Sequence, residues 1–141
     1  MTTLLVPVDG SKCSLRAVDY AVRQAQKSAL TLHLLNVEPP LDDYGMVAAY
    51  LSRRQHVHTM KLRAARVLQQ AAARARKPNV TVKTHVVVGE VAKAIVQTAA
   101  RLRCEAIVMG TRGMGPVKDL LLGSVASKVL HLTRLPVTLV K

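Results

Sequence analysis

An apolar run, Ala106-Ile107-Val108-Met109, leads directly into Gly110-Thr111-Arg112-Gly113, and after nine further residues the chain reads Gly123-Ser124. Apolar residues then recur at helical spacing, at positions 125, 126, 129 and 130. A buried strand is therefore expected to enter a glycine-rich loop that ends at a helix N-terminus. Glycines allow close backbone approach, and the free N–H groups of a helix N-terminus favour negative charge. The pattern predicts an anion-binding loop, with a turn rich in glycine for geometric reasons alone as the alternative.

The residues inside this loop fit the same interpretation. Gly115-Pro116 interrupts any regular element, and Arg112 and Lys118 add positive charge. Ser124 either caps the following helix or donates its hydroxyl to a phosphate oxygen.

The rest of the chain alternates between strand and helix patterns. Strands are predicted at residues 4–8, 30–37, 80–88, 106–109 and 136–140, and helices after Ser11, over 46–77, after Gly89-Glu90 and over 124–133. Alternation of this kind predicts one α/β domain over residues 1–141, a doubly wound parallel sheet with helices on both faces. Because Pro7 cannot donate to a strand ladder, we expect pairing to end near Val6 and the chain to bulge at residues 7–9.

The charge is strongly positive and unevenly distributed. The formal net charge is +13, and no Asp or Glu occurs from residue 44 to residue 89. That span contains Arg53, Arg54, Lys61, Arg63, Arg66, Arg74, Arg76, Lys77 and Lys83, with His56, His58 and His85. Either a polyanion-binding face or a solvated helix face explains it. The chain has no Trp or Phe, which disfavours base stacking on single strands, so specific nucleic-acid binding is not expected.

Several other classes of protein are disfavoured. No apolar run approaches the length of a membrane span, and the N-terminus lacks the features of a signal peptide, so we expect a cytoplasmic protein. Cys13 and Cys104 do not suggest a disulfide scaffold. His56 and His58 are two residues apart and would point to different faces of a helix, and Asp42-Asp43 suit a solvated loop, so no metal cage is expected. No Walker-type phosphate-binding motif occurs.

The spacing Gly, two residues, Gly, nine residues, Gly-Ser resembles the nucleotide-binding signature of the universal stress protein family, in its ATP-binding subgroup. Residues 4–11, 34–37 and 135–140 also resemble the family in kind and order, and only residues 39–78 carry no matching motif. Thr111 stands where serine is commoner, and Pro116 where a small or flexible residue is frequent.

The resemblance implies a Rossmann-like fold, similar to the adenine nucleotide α-hydrolases, with strand order 3-2-1-4-5. Its switch point between the first and fourth strands would bring Asp9 and Gly110 to one crevice. Asp9 would accept hydrogen bonds from the ribose hydroxyls, with helix capping as its alternative role, and the Val37 backbone would read the adenine edge. The implied nucleotide-binding set is Pro7, Val8, Asp9, Val37, Met109, Gly110, Arg112, Gly113, Gly123, Ser124 and Val125.

The resemblance also implies what the protein does. We expect a stress-response regulator that binds ATP, or ADP or AMP, with Mg²⁺ carried on the phosphates. Strand 136–140 would pair two copies into a homodimer acting as a nucleotide-dependent switch. Two alternatives stay open: a slow ATPase using Arg112, Lys118 or Asp119, and an adaptor that binds an acidic partner or polyanion through the basic helix at 53–77. Enzyme activity is left open, and no catalytic residue is assigned.

Overall fold

The computed structural model describes residues 2–41, 52–113 and 122–141. Strands and helices alternate along the chain, as the apolar periodicity predicts. The elements are β1 (Thr3–Pro7), α1 (Lys12–Ser28), β2 (Thr31–Glu38), α2 (Arg53–Ala75), β3 (Thr81–Val88), α3 (Val91–Arg101), β4 (Ala106–Gly110), α4 (Ser124–Leu132) and β5 (Val137–Val140). Predicted loop residues 114–121, including Lys118 and Asp119, and the Asp42-Asp43 loop lie outside the described residues.

All five strands are parallel and lie in the order β3-β2-β1-β4-β5, which confirms the predicted fold. Two separate apolar clusters cover the two faces of the sheet. Leu15 and Val18 of α1 pack with Leu68 of α2 on one face, and Ile95 of α3 packs with Val129 of α4 on the other. The order of strands reverses between β1 and β4, so the crevice that this topology creates lies at their carboxyl ends.

Side-chain caps fix where three of the four helices begin. Ser11 accepts a hydrogen bond from the Ser14 N–H (3.1 Å) and caps α1, as predicted. Glu90 caps α3 by accepting from the Lys93 N–H (3.1 Å). Ser52 and Gln55 form a reciprocal capping box at the start of α2, which satisfies two N–H groups that have no partner within the helix.

The helix predicted over residues 46–77 is shorter where the structure describes it. Ser52 has extended backbone (φ −61°, ψ 150°), so α2 begins only at Arg53. Its last residue is Ala75, and Arg76 has left the helical conformation with ψ 87°. The ring of Pro78 disfavours helical geometry in the residue before it, which explains the early end. Residues 46–51 lie outside the described part of the chain.

The expected bulge at Pro7 is also wrong. Pro7 belongs to β1 and pairs with Leu35 of β2. The next N–H, that of Val8, donates to the Leu35 carbonyl (2.8 Å), so by alternation the Pro7 nitrogen faces β4. The registered pairing of β1 with β4 covers only Leu4 and Leu5, and so the missing N–H breaks no bond in either ladder.

None of the helices in the described ranges combines the length and the apolar character that a bilayer crossing requires. Within the same ranges, no group of three or more His, Cys, Asp and Glu residues could hold a metal ion. His56 is buried and His58 exposed, which confirms that the two histidines lie on different faces of α2.

Candidate functional site

A cavity of about 340 Å³ opens at the carboxyl ends of β1 and β4. All eleven residues of the predicted nucleotide-binding set line it: Pro7, Val8, Asp9, Val37, Met109, Gly110, Arg112, Gly113, Gly123, Ser124 and Val125. The fold thus joins residues that are more than a hundred positions apart in the sequence. Their role toward a nucleotide stays a prediction, because placement alone does not identify a ligand.

Asp9 is held by the turn between β1 and α1. Its Oδ1 accepts a hydrogen bond from the Ser11 N–H (2.9 Å), and Ser14 Oγ donates to the Ser11 carbonyl (3.0 Å). Ser11 performs the capping of α1, so Asp9 is not the helix cap. The second oxygen, Oδ2, lies toward Gly113: a Cβ added to Gly113 would come within 2.5 Å of it. One carboxylate oxygen therefore fixes the turn while the other faces the glycine loop.

The glycines of the loop are needed for different contacts. A Cβ on Gly110 would lie 2.9 Å from Cys13 Sγ and 3.0 Å from the Cys13 carbonyl carbon, so Gly110 allows β4 to pack against the first turn of α1. A Cβ on Gly123 would lie 3.2 Å from the Thr111 carbonyl oxygen, which accepts a hydrogen bond from the Gly123 N–H (2.6 Å). Close packing within the protein thus explains Gly110 and Gly123, and close approach of a ligand is not needed to account for either.

The N-terminus of α4 lines the cavity and has no side-chain cap from the described residues. Gly123 is the N-cap residue and provides no side-chain hydrogen bond, so the prediction that Ser124 could cap this helix is wrong. Ser124, Val125 and Ala126 form the first turn and line the cavity. The first N–H groups of a helix have no partner within the helix, and its dipole places partial positive charge there. This end of the cavity therefore suits an anionic group.

Apolar side chains form part of the cavity lining. Val37 at the end of β2, Met109 on β4, and Val91 and Ile95 on α3 line the cavity. A mostly apolar lining with a few polar groups is typical of sites for small molecules.

Six lining residues were missed by the sequence analysis: Ser14, Leu35, Val91, Ile95, Thr111 and Ala126. The helical spacing of Val91 and Ile95 could have suggested that both lie on the core side of α3, near the switch point. Nothing in the sequence relates Ser14 to the cavity, because its position depends on the turn that Asp9 makes.

Cys13 lies beneath the start of the loop. Its Sγ is 3.1 Å from the Val140 carbonyl oxygen, to which it donates, and 3.8 Å from Thr111 Oγ1. Burial raises the pKa of this thiol, but hydrogen bonds with the backbone of Arg112 and with Thr111 outweigh it, so the pKa lies below the usual cysteine range. Burial raises the pKa of Cys104, which packs in the α3–α4 cluster, consistent with a structural role.

Comparison with known sequences agrees with the family resemblance of the glycine-rich loop. The profile of the Universal stress protein family matches residues 1–141. A universal stress protein from Thermus aquaticus is 34% identical over 142 residues, covering 99% of this chain and 98% of that protein.

Two solved structures are similar over nearly their whole length. UspA from Lactobacillus plantarum has a TM-score of 0.82 at 23% identity, covering 99% of this chain and 97% of that one. A universal stress protein solved in complex with cAMP has a TM-score of 0.71 at 28% identity, covering 99% of this chain and 96% of that one.

The fold and the site define a doubly wound α/β protein with a glycine-lined crevice at the β1–β4 switch point. With the profile match over its full length, the chain belongs to the universal stress protein family.

Proposed function

We propose that this protein is a regulatory protein of the stress response that binds an adenine nucleotide, ATP in the first place, in the crevice between β1 and β4. The observation that carries the proposal is the convergence of Asp9, Gly113 and the uncapped N-terminus of α4 on one cavity with an apolar wall. The relative solved with cAMP supports the class of ligand.

In this proposal each part of the crevice has one task. Asp9 Oδ2 accepts from the ribose hydroxyls, the wall of Val37, Val91 and Ile95 holds the adenine ring, and the Val37 backbone reads its edge. The N–H groups of α4 and the Ser124 hydroxyl bind the phosphates. Mg²⁺ would arrive on the phosphates, because Asp9 is the one carboxylate among the described lining residues.

The first experiment identifies the nucleotide. The protein is purified without added nucleotide and precipitated, and the released compounds are identified by chromatography and mass. We expect an adenine nucleotide at close to one per chain. If nothing is released and calorimetry detects no uptake of millimolar Mg-ATP, the proposal fails.

Substituting Gly113 tests the site directly. Gly113→Ala places a Cβ against Asp9 Oδ2, and the flexible carboxylate can turn away, so we expect nucleotide affinity to fall while the fold remains. Gly89→Ala is the matched control, because its Cβ would meet only the Ala94 Cβ at an ordinary 3.7 Å. Equal affinity of both variants by calorimetry would remove Gly113 from the site.

The proposal includes a homodimer paired through β5, whose edge is not covered by another strand of the described sheet. The carbonyls of Pro136 and Val140 face β4, since they accept from Ile107 and Thr111, so by alternation the Leu139 N–H faces the open edge. Leu139→Pro should convert a dimer into a monomer in light scattering, while Leu139→Ala, which keeps the N–H, should remain dimeric. A monomeric starting protein, or a dimeric proline variant, would contradict this interface.

We also propose that the protein is cytoplasmic and that it does not turn over its ligand as an enzyme. Cys13 and Cys104 are both unpaired thiols, as a reducing compartment allows.

A further inference from the structure

The outer surface of α2 carries charge that the crevice does not use. The helix contains Arg53, Arg54, Lys61, Arg63, Arg66 and Arg74 and no acidic residue. Two of these side chains form ion pairs with carboxylates of neighbouring elements: Arg63 pairs with buried Glu38 of β2, and Arg74 pairs with Asp19 of α1. Arg53, Arg54, Lys61 and Arg66 are exposed and form no ion pair within the described residues.

Two features indicate that this charge is not simply a solvated helix face. Arg53 and Arg54 occupy the first turn of α2, which has no acidic residue, although the helix dipole disfavours cations there. Departures from a local rule of this kind are expected at functional surfaces. In addition, Arg54 and Lys61 border one depression of about 380 Å³, together with Gln55, Val57 and His58.

We propose that this surface binds the phosphate backbone of duplex nucleic acid without sequence preference. Arg54 and Lys61 lie on one side of α2 and Arg66 lies about 120° around the helix axis, and together they extend over about 18 Å of helix at 1.5 Å per residue. A duplex carries one negative charge per about 1.7 Å of its axis, so that length of duplex carries about ten phosphate charges on its two strands.

The composition of the surface favours a duplex over other polyanions. No Phe, Tyr or Trp occurs on α2, so it lacks the large aromatic stacking platforms of single-strand binding. Leu62 is the one large hydrophobic side chain of α2 that is strongly exposed, at 56%. An acidic protein partner would need an apolar centre to its interface, and a membrane would need apolar side chains to insert, and this face provides neither.

The test compares two triple variants of the full chain with equal loss of charge. Arg54→Ala/Lys61→Ala/Arg66→Ala removes the proposed contacts. Lys27→Ala/Arg103→Ala/Arg134→Ala removes three exposed cations from other elements. Binding to a labelled duplex of about 20 base pairs, twice the length that α2 covers, is measured by anisotropy over a series of KCl concentrations.

For the α2 variant, we expect the slope of log K against log salt to become shallower by about 2.7, the value for three phosphate contacts. The control variant and a second duplex of unrelated sequence should match the unmodified protein. An equal loss in both variants would assign binding to the net charge and overturn the proposal. Tighter binding of a single strand, or equal competition by polyglutamate, would also overturn it.

A nucleotide titration and a thermal melt of the α2 variant keep this result separate from the proposed function. An unchanged melting temperature shows that the variant folds, whatever the outcome for ATP. If the protein takes up no nucleotide at all, the proposed function fails, and the duplex measurement still decides the role of α2.

Discussion

Among the described residues, the crevice holds one carboxylate, Asp9, and one guanidinium, Arg112, within closely packed backbone, whereas α2 holds four exposed cations that form no ion pair there. In the crevice, positions are fixed by contacts between residues far apart in sequence, such as Gly110 against Cys13. On α2, charge density is set by composition within one helix. Single substitutions should therefore have large effects in the crevice and small ones on α2.

Substituting Asp9 should have the largest effect. Asp9→Asn keeps an oxygen that can accept from the Ser11 N–H, so the turn should survive, but the charge offered to the ribose is lost. Asp9→Ala should weaken nucleotide binding by about 1.5–3 kcal/mol, roughly 10–150-fold in Kd, with Asn intermediate. Asp19→Ala removes a carboxylate from α1 outside the crevice and serves as the calorimetric control. A similar loss in Asp19→Ala would show that net charge, and not Asp9, sets the affinity.

Gly110→Ala should lower stability, because its Cβ would meet backbone as well as sulfur at Cys13. We expect the free energy of unfolding to fall by about 1–3 kcal/mol, the usual cost of overpacking. Gly89→Ala should be neutral or stabilising by up to about 1 kcal/mol, through reduced entropy of the unfolded chain. Urea titration of the two variants measures the difference, and equal midpoints would show that β4 and α1 can separate without cost.

Removing an ion pair of α2 should have the smallest effect. The Arg74 and Asp19 side chains are 45% and 34% exposed, so Arg74→Gln should lower the free energy of unfolding only slightly at pH 7. The hydrogen bond from Arg74 lowers the Asp19 pKa, so this contribution is present at neutral pH and is lost as the pH falls below about 4. Urea midpoints of the two proteins should converge in acid. A large loss of stability at pH 7 would mean that the charges of α2 stabilise the fold.

The difference between local patterns and contacts across the fold also explains how much of the structure the sequence could predict. The apolar run before Gly110 and the helical spacing after Ser124 indicate strand, loop and helix by local pattern alone, and the resemblance to the family supplied the strand order. The error at Pro7 has a different origin. Whether a proline breaks a ladder depends on which neighbour its nitrogen faces, and this is settled only by the register with Leu35.

Helix capping shows a further limit of prediction from the sequence. The capping box of Ser52 and Gln55 is visible in the sequence and could have placed the start of α2 correctly. Ser124 was the wrong cap candidate because both Gly123 and Ser124 suit that position, and the hydrogen bond from the Gly123 N–H to Thr111 decides between them. Thr111 could not be assigned to the crevice because it contacts Cys13 and Val140 across the fold, and Ser14 could not because it reaches the crevice only through the turn that Asp9 makes.

The Val140 carbonyl, at the end of β5, accepts hydrogen bonds from both the Thr111 N–H (2.9 Å) and the Cys13 thiol (3.1 Å). Because Cys13 is only 8% exposed, a thiol reagent can reach it only when the end of β5 separates from β4 and α1. The rate of its chemical labelling is then a measure of how often this terminal strand opens. Cys104, buried in the other cluster, offers an internal reference in the same molecule.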